Sequence, residues 1–329
     1  REVPWRVKSG EVANPYHVWL SEIMCQQTTV QAVKAYYTKF LDMWPTVEDL
    51  AAAKGEDVMA AWAGLGYYAR ARNLHKCAQI VANDLGGKFP STQEELKKLP
   101  GVGDYTSAAI AAIAFNEPAT VVDGNVERVM ARFFAIEEPL PNSKKTLKVH
   151  AEYFYRDFDD RPGDLAQSFM DLGAGICIPK APRCMLCPSS EDCEGRRLGI
   201  AAELPKKAKK KDRPQKYGHL YWVENEDGEV LFQQRPEKGL LGGMLGLPTT
   251  GWEKNKKTKH LEYLGEPIEC KHKVHHTFTH FDLELRLYKA NLTKDTDLSA
   301  YGLKWLDPDK TGEKLPSVFK KGFKIFSSL

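Results

Sequence analysis

The sequence lacks a long apolar run and a large net charge. Its longest uninterrupted apolar stretch is the eight residues 108–115, whereas a membrane-spanning helix needs about 20. The formal net charge is only +3, so charge by itself does not indicate a nucleic-acid partner. Hydrophobic residues make up 42% and charged residues 28% of the chain. This is typical of globular domains and excludes a chain that is disordered throughout.

We expect neither a signal peptide nor a disulfide framework. The chain opens with Arg-Glu-Val-Pro-Trp, without an initiator Met, and we expect a trimmed N-terminus. Of the seven cysteines, four fall within 17 residues and three are scattered. This pattern is typical of a metal or cluster site in a reducing compartment. At roughly 150 residues per domain, 329 residues indicate two domains.

Apolar residues in the first two thirds of the chain recur at helical spacing, without a fixed-period repeat or an alternation of strands and helices. An all-α first domain is therefore expected. Ser91 and Glu94 have the spacing of a capping box, and the Ala-rich run 106–115 predicts a fully buried helix. Further helices are predicted over 16–24, 30–44, from Thr46 toward Trp62, and 126–136.

A basic segment marks the domain boundary. Seven of the eleven residues in 206–216 are Lys or Arg, and Pro205 and Pro214 flank the lysine run. The segment is either a solvated connector or one that passes close to nucleic-acid phosphates. We predict a first domain over 1–198, a linker over 199–216 and a second domain over 217–329.

The second domain has the sequence pattern of strands. Residues 219–223 and 229–234 predict two strands joined by a turn at 225–228. Residues 281–288 alternate, with Leu283 and every second residue after it on one face. The second domain is therefore expected to be α+β.

The strongest chemical signal is the spacing Cys177-x6-Cys184-x2-Cys187-x5-Cys193. Four thiolates this close can hold Zn²⁺ or an iron–sulfur cluster, and the spacing alone does not choose between them. The basic residues in 179–183 would contact phosphate or simply add solubility.

A second signal is the glycine turn in Leu-Pro-Gly-Val-Gly, residues 99–103, directly before the Ala-rich helix. Backbone amides at such a helix start suit a phosphate, although many helix–helix corners look alike.

These motifs, together with Val-Asp-Gly-Asn-Val at 122–126 and in this order, resemble the helix-hairpin-helix DNA glycosylase superfamily. The resemblance covers nearly the whole chain except a first helix. It implies an all-α helix-hairpin-helix glycosylase domain whose four cysteines hold a [4Fe–4S] cluster. It also implies double-stranded DNA as the partner, a monomer and a cytoplasmic, bacterial location.

Within the superfamily, the chain resembles the MutY adenine glycosylase branch. Residues 19–28 and 64–75 are similar to MutY segments, and Tyr105 stands where endonuclease III-like enzymes carry a Schiff-base Lys. The resemblance implies a monofunctional enzyme that flips out adenine mispaired with 8-oxoguanine or G and removes it. The alternatives are an endonuclease III-like bifunctional pyrimidine-lesion glycosylase/lyase, a non-catalytic zinc-knuckle DNA-binding protein and a Nudix hydrolase.

The resemblance assigns the chemistry to two carboxylates. Glu22 lies in an apolar stretch, where burial would raise its pKa and let it protonate the adenine. Asp123, at a helix start, would stabilise the oxocarbenium sugar or bond to it covalently. We expect Tyr105 and Asn125 to orient Asp123.

The resemblance also assigns contacts with the base and the DNA. Arg6 and Gln167 would hydrogen-bond the flipped adenine, and Trp5 would pack beside it. The DNA base stack and the base opposite the adenine would be contacted by Gln27, Thr28, Leu65 and Tyr67. The DNA backbone would be contacted by the hairpin residues Gly101, Val102 and Gly103.

Residues 231–248 resemble the Nudix-like domain that MutY shares with nucleotide pyrophosphohydrolases. A working hydrolase needs a Glu-rich helix to hold Mg²⁺, and residues 249–259 hold a single Glu, so a binding role is expected. Phe278, Thr279 and His280 resemble the family loop that probes 8-oxoguanine, with Thr in place of Ser.

Overall fold

The structure, a computed structural model, describes residues 3–8, 10–26, 28–156, 158, 160–209, 212–236, 239–256, 258–294 and 296–329. The chain divides into two compact units, residues 1–209 and 210–329. Within the described ranges, no helix is both long enough and apolar enough to cross a lipid bilayer.

The described part of the first unit is helical, which confirms the predicted all-α domain. The predicted helices 16–24, 30–44, 106–115 and 126–136 correspond to the first, second, seventh and eighth. In chain order the helices are α1 (Pro15–Cys25), α2 (Val30–Met43), α3 (Val47–Ala52), α4 (Gly55–Ala61), α5 (Ala69–Asn83), α6 (Gln93–Leu96), α7 (Asp104–Phe115), α8 (Gly124–Phe133), α9 (Lys144–Arg156), α10 (Pro162–Gly175) and α11 (Glu194–Arg197).

Two boundaries differ from the predicted ones. The run from Thr46 toward Trp62 is two helices, because Ala53 is extended between α3 and α4. Helix α6 is capped by Thr92, whose side chain accepts a hydrogen bond from the Glu95 amide. Ser91, the predicted cap, stands one residue too early for this bond.

The core of the first unit forms where α7 packs against α1, α6 and α10. Every residue of α7 from Thr106 to Ala112 is buried, so small side chains are needed on all its faces. Trp19 and Leu20 of α1 are fully buried in the same core. Helices α1, α7 and α10 also line one cavity.

Part of the predicted linker belongs to the first unit. The Leu140 amide donates to the Lys206 carbonyl at 2.9 Å, and the Ala208 amide donates to the Leu140 carbonyl at 2.9 Å. Arg132 Nε also donates to the Leu204 carbonyl at 2.9 Å. The basic composition of this segment does not indicate that its backbone pairs with the first unit. The predicted linker 199–216 therefore begins too early.

The described residues of the second unit form two three-stranded sheets, and the unit is α+β, as expected. Its elements are β1 (Gln215–Trp222), β2 (Val230–Gln234), β3 (Leu245–Gly246), β4 (Ile268–Thr277), β5 (Asp282–Lys289), β6 (Leu303–Leu306), α12 (Pro308–Thr311) and α13 (Ser317–Phe326). The strand orders are β1-β5-β4 and β3-β2-β6.

Strand β1 pairs with β5 in parallel, with Leu220 opposite Leu287, and β4 pairs with β5 antiparallel. Leu283, Leu285 and Leu287 are all buried, which confirms the predicted alternation. They pack in one core with Phe319 of α13.

Candidate active site

The first unit contains a cavity of about 660 Å³ lined by α1, the start of α7, the start of α8 and α10. The N-terminal segment contributes to its wall as well. The structure brings eight of the residues predicted from sequence to this wall, namely Trp5, Arg6, Glu22, Thr28, Tyr105, Asp123, Asn125 and Gln167.

Glu22 lies on α1 among buried neighbours. Its Oε2 accepts a hydrogen bond from the Tyr105 hydroxyl at 2.7 Å. Burial raises the pKa of Glu22 to about 7; the Tyr105 bond lowers it, the nearby Asp123 charge raises it and Arg6 lowers it. The carboxyl group is therefore about half protonated at neutral pH, which suits a general acid.

The Tyr105 hydroxyl is bonded to Glu22 and not to Asp123, which corrects the expectation that it orients Asp123. The reason is that α7 packs against α1. Burial, followed by the Glu22 charge, raises the pKa of Tyr105 well above its usual value. The hydroxyl therefore stays a hydrogen-bond donor to Glu22.

Asp123 is the N-cap of α8. Its Oδ1 accepts hydrogen bonds from the Asn125 and Val126 amides, both at 2.8 Å, and its Oδ2 accepts one from Asn125 Nδ2 at 2.7 Å. Both carboxylate oxygens are thus fixed by N–H donors at a helix N-terminus, where negative charge is favoured.

Arg128, which was not predicted from the sequence, fixes the position of the Asn125 side chain. Its Nη2 donates to Asn125 Oδ1 at 2.9 Å and to the Gly173 carbonyl at 2.6 Å, and its Nε donates to the Cys177 carbonyl at 2.7 Å. One guanidinium therefore joins the Asp123 cap to α10 and to the first cysteine of the motif.

Arg6 forms an ion pair with Asp171 of α10, a residue that the sequence reasoning missed. Asp171 and Gln167 both line the cavity, and their spacing of four residues puts them on one face of α10. That spacing was the available signal. Trp5 packs edge-to-face on Tyr37, with 5.2 Å between ring centroids.

The cavity thus holds two carboxylates in contrasting surroundings. Glu22 is partly buried beside a hydroxyl donor, whereas Asp123 accepts three N–H bonds. Such a pair can protonate a leaving group and stabilise a cationic sugar carbon, as in glycosidic bond cleavage.

A turn after α4 carries an exposed aromatic ring. Tyr67 is 56% exposed, has a φ of 49°, and follows two glycines that also have positive φ, Gly64 and Gly66. Leu65 is buried in the core, and its predicted contact with the opposite base stays a prediction. Gln27, predicted beside it, lies outside the described residues.

The glycine turn lies between α6 and α7, so that the two helices and the turn form a hairpin. Gly101 has a φ of 78°, and a Cβ there would lie 2.9 Å from Asn73 Cβ. Val102 is buried and Gly103 is the N-cap of α7. Only backbone groups of 101–103 are therefore available to a ligand, because two of these residues are glycines and the Val102 side chain is buried.

The four cysteines of the motif line a single cavity together. Among the described residues, no three His, Cys, Asp or Glu side chains converge as a lone metal ion requires. In a four-iron cluster each cysteine binds a different iron, so the sulfurs stay apart. Arg132 Nη1 also donates to Cys177 Sγ at 3.3 Å. Four thiol sulfurs around one cavity are a donor set that a [4Fe–4S] cluster or Zn²⁺ can use.

In the second unit, Phe278 anchors the loop predicted to read a base. Its ring stacks on Trp252 at 5.5 Å and lies 4.8 Å from that of Phe281. Thr279 and His280 are exposed. The described residues between β3 and β4 form no helix, so the carboxylate helix of a Nudix hydrolase is not seen there.

Comparison with known proteins agrees with both units. The profile of the HhH-GPD superfamily of base excision DNA repair proteins matches residues 20–154, and the NUDIX domain profile matches residues 219–324. A solved thermostable thymine-DNA glycosylase is 32% identical, with a TM-score of 0.51 over 60% of this chain and 89% of that one. The protein is thus a helix-hairpin-helix base excision repair glycosylase with a Nudix-like second domain.

The curated relatives narrow this class. The adenine DNA glycosylase of Homo sapiens is 32% identical over 99% of this chain and 71% of the human protein. That of Buchnera aphidicola subsp. Schizaphis graminum is 30% identical over 99% of this chain and 94% of its own length. The chain belongs to the adenine DNA glycosylase family.

Proposed function

We propose that the protein, acting as a monomer on double-stranded DNA, removes adenine mispaired with 8-oxoguanine or G, and does so without lyase activity. The observation that carries this proposal is the pair of carboxylates, Glu22 and Asp123, in one cavity large enough for a purine. The one lysine of the described cavity wall, Lys144, is ion-paired with Glu127 at 3.0 Å. The position where endonuclease III-like enzymes carry the Schiff-base Lys is Tyr105, which has no amine.

In the proposed reaction, Glu22 gives its proton to N7 of the extruded adenine. The C1′–N9 bond then breaks, and its electron pair leaves with the neutral base. Asp123 faces the cationic C1′ and stabilises it or bonds to it transiently. A water molecule adds to C1′ and loses a proton to the Glu22 carboxylate, which restores the acid.

Recognition of the base is assigned to the N-terminal segment and α10. The Arg6–Asp171 pair offers a donor and an acceptor on the cavity wall, and the Gln167 amide offers one of each. Adenine presents an amino donor and ring-nitrogen acceptors, so this set matches its edge. Trp5 would cover the ring plane.

We further propose that Cys177, Cys184, Cys187 and Cys193 hold a [4Fe–4S] cluster. When bound, the cluster would cross-link the ends of the loop 177–193. The loop starts at the carbonyl that accepts from Arg128, so a rigid loop steadies Asn125 and Asp123. A thiolate-bound cluster and a DNA substrate both indicate the cytoplasm.

The second unit would read 8-oxoguanine through the Phe278–His280 loop. Phe278 is fixed by aromatic packing, and the exposed Thr279 and His280 supply hydrogen-bonding groups for the lesion.

The test is a single-turnover assay on labelled duplexes that carry 8-oxoguanine:A, G:A or a thymine glycol pair, with and without alkali. We expect strand cleavage at A only after alkali, faster opposite 8-oxoguanine, and its loss in Glu22→Gln. Cleavage without alkali, covalent trapping by borohydride, or action on thymine glycol would instead establish the endonuclease III-like reaction.

A further inference from the structure

Arg70, the second residue of α5, contacts both the exposed Tyr67 and α1, the helix that carries Glu22. Its Nη1 donates to the carbonyls of Ile23 at 3.1 Å and Met24 at 3.2 Å, and to that of Gln26. Helix α1 has no basic residue in its own last turn. The carbonyls at its C-terminal end are thus capped by an arginine from another helix.

The other side of the same guanidinium holds the turn after α4. Arg70 Nη2 donates to the Leu65 carbonyl at 2.9 Å, to the Gly66 carbonyl at 3.4 Å and to Thr28 Oγ1 at 3.1 Å. Its Cζ lies 5.7 Å from the Tyr67 ring centroid and 5.2 Å from that of Trp62. The Tyr67 ring therefore rests on a guanidinium that is anchored to α1.

Two other side-chain hydrogen bonds of the described residues hold each segment separately. Trp62 Nε1 donates to the Gly66 carbonyl at 3.0 Å and steadies the turn from its own side. Gln26 Nε2 donates to Thr106 Oγ1 at 3.1 Å and steadies the end of α1 against α7. Neither bond crosses from the turn to α1, whereas the Arg70 bonds do.

We propose that Arg70 is a positioning residue that makes the Tyr67 turn and the Glu22 helix a single rigid wedge. This role rests on the proposed function and assigns Arg70 to base extrusion. When Tyr67 fills the gap in the base stack, the rigid wedge holds the extruded base at a fixed distance from Glu22. Proton transfer itself involves other groups. A lysine cannot replace Arg70, because one ammonium lacks the planar fork that reaches both segments.

The test uses Arg70→Gln, Arg70→Lys and the matched control Lys76→Gln, an exposed cation on the same helix. Extrusion is followed in the Glu22→Gln background by the fluorescence of 2-aminopurine placed opposite 8-oxoguanine. Single-turnover rates are measured from pH 5 to 9 in the active background. Circular dichroism checks the fold of each variant.

We expect both Arg70 variants to lose most of the fluorescence rise and about 10- to 100-fold in rate, with an unchanged pH midpoint, while Lys76→Gln behaves like wild type. Tyr67→Ala, which alters only an exposed ring, should show the same defect, and the double variant should be no worse than either single one.

Three results would overturn the proposal. A wild-type rate in Arg70→Lys would show that charge alone matters. Normal fluorescence with a slow rate in the Arg70 variants would assign Arg70 to the chemistry. Additive effects of Tyr67→Ala and the Arg70 variants would show that the two residues act independently. Failure of the proposed function looks different, because wild type itself would then leave every adenine duplex uncleaved.

Discussion

The Tyr105 hydroxyl donates to Glu22 Oε2 at 2.7 Å, and this bond lowers the pKa of the proposed general acid. A hydroxyl donor stabilises the ionised carboxylate and lowers its pKa. It therefore opposes burial, which raises the pKa of Glu22 to about 7. The two opposing effects keep the proton transferable at neutral pH.

Removing this donor should move the pH profile to higher pH. In Tyr105→Phe the carboxylate loses the bond that favours ionisation, so the pKa of Glu22 rises and the alkaline limb of the single-turnover rate shifts upward. Tyr16→Phe is the control, because Tyr16 is a buried tyrosine of α1 whose hydroxyl bonds the Trp44 carbonyl instead. An unshifted limb in Tyr105→Phe would contradict this account.

The wild-type rate should fall as pH rises through about 7, by about tenfold per unit well above it, because only protonated Glu22 acts as the acid. The measurement is the single-turnover rate on an 8-oxoguanine:A duplex across pH 5 to 9. A flat profile above pH 7 would exclude Glu22 as the proton donor.

The free energy of unfolding should also depend on the titration of Glu22. The folded-state pKa of Glu22 lies above its usual 4.5, so the folded state holds the proton more tightly and loses stability as pH rises from about 4.5 to about 7. Glu22→Gln escapes this loss and should be more stable by about 1–3 kcal/mol at pH 8, but not at pH 4.5. Urea unfolding at both pH values checks this, and equal stability at pH 8 would count against a buried Glu22.

Most of the helices could be predicted because apolar spacing and side-chain caps are local properties of the sequence. Thr46 caps α3 through a reciprocal capping box, and Leu283, Leu285 and Leu287 alternate within one strand. The missed boundaries at Ala53 and Thr92 are decided by backbone angles and by a shift of one residue, which composition does not show.

The site divides in the same way. Glu22 and Asp123 lie in short segments with recognisable neighbours, so a resemblance could find them. Asp171 and Arg70 have partners that are distant in the chain: Arg6 is 165 residues from Asp171, and Ile23 is 47 residues from Arg70. The spacing of four residues from Gln167 could place Asp171 at the cavity, but it could not reveal Arg6 as its partner. Contacts at such separations depend on how helices pack, which the spacing within one helix does not reveal.

A methyl group at Gly173 should reduce activity while the protein stays folded. A Cβ there would lie 2.5 Å from Asn125 Cβ, so Asn125 must shift and Asp123 loses its fixed position. We expect Gly173→Ala to lower the single-turnover rate by about 100-fold. Gly175→Ala, on the same helix with nothing within 4 Å of its Cβ, should leave the rate unchanged. Equal effects of the two variants would refute this role for Asn125.

The protein purified without oxygen should be brown and carry about four iron and four sulfide ions per chain. Iron and sulfide analysis and the visible spectrum measure this directly. Cys187→Ser should lower the iron content, whereas Cys77→Ser, a buried cysteine outside the motif, should not. A colourless protein with about one zinc per chain would show that the motif holds Zn²⁺ instead.

Phe278 should control the preference for the lesion rather than the chemistry. Its ring is fixed between Trp252 and Phe281, and it carries the exposed Thr279 into position. In Phe278→Ala the loop loses that anchor, so we expect the rate ratio of 8-oxoguanine:A to G:A to fall about tenfold, with the G:A rate unchanged. Ile268→Ala, at an exposed site at the start of β4, is the control. A matching fall in the G:A rate would mean that the second unit supports catalysis as a whole and does not read the lesion.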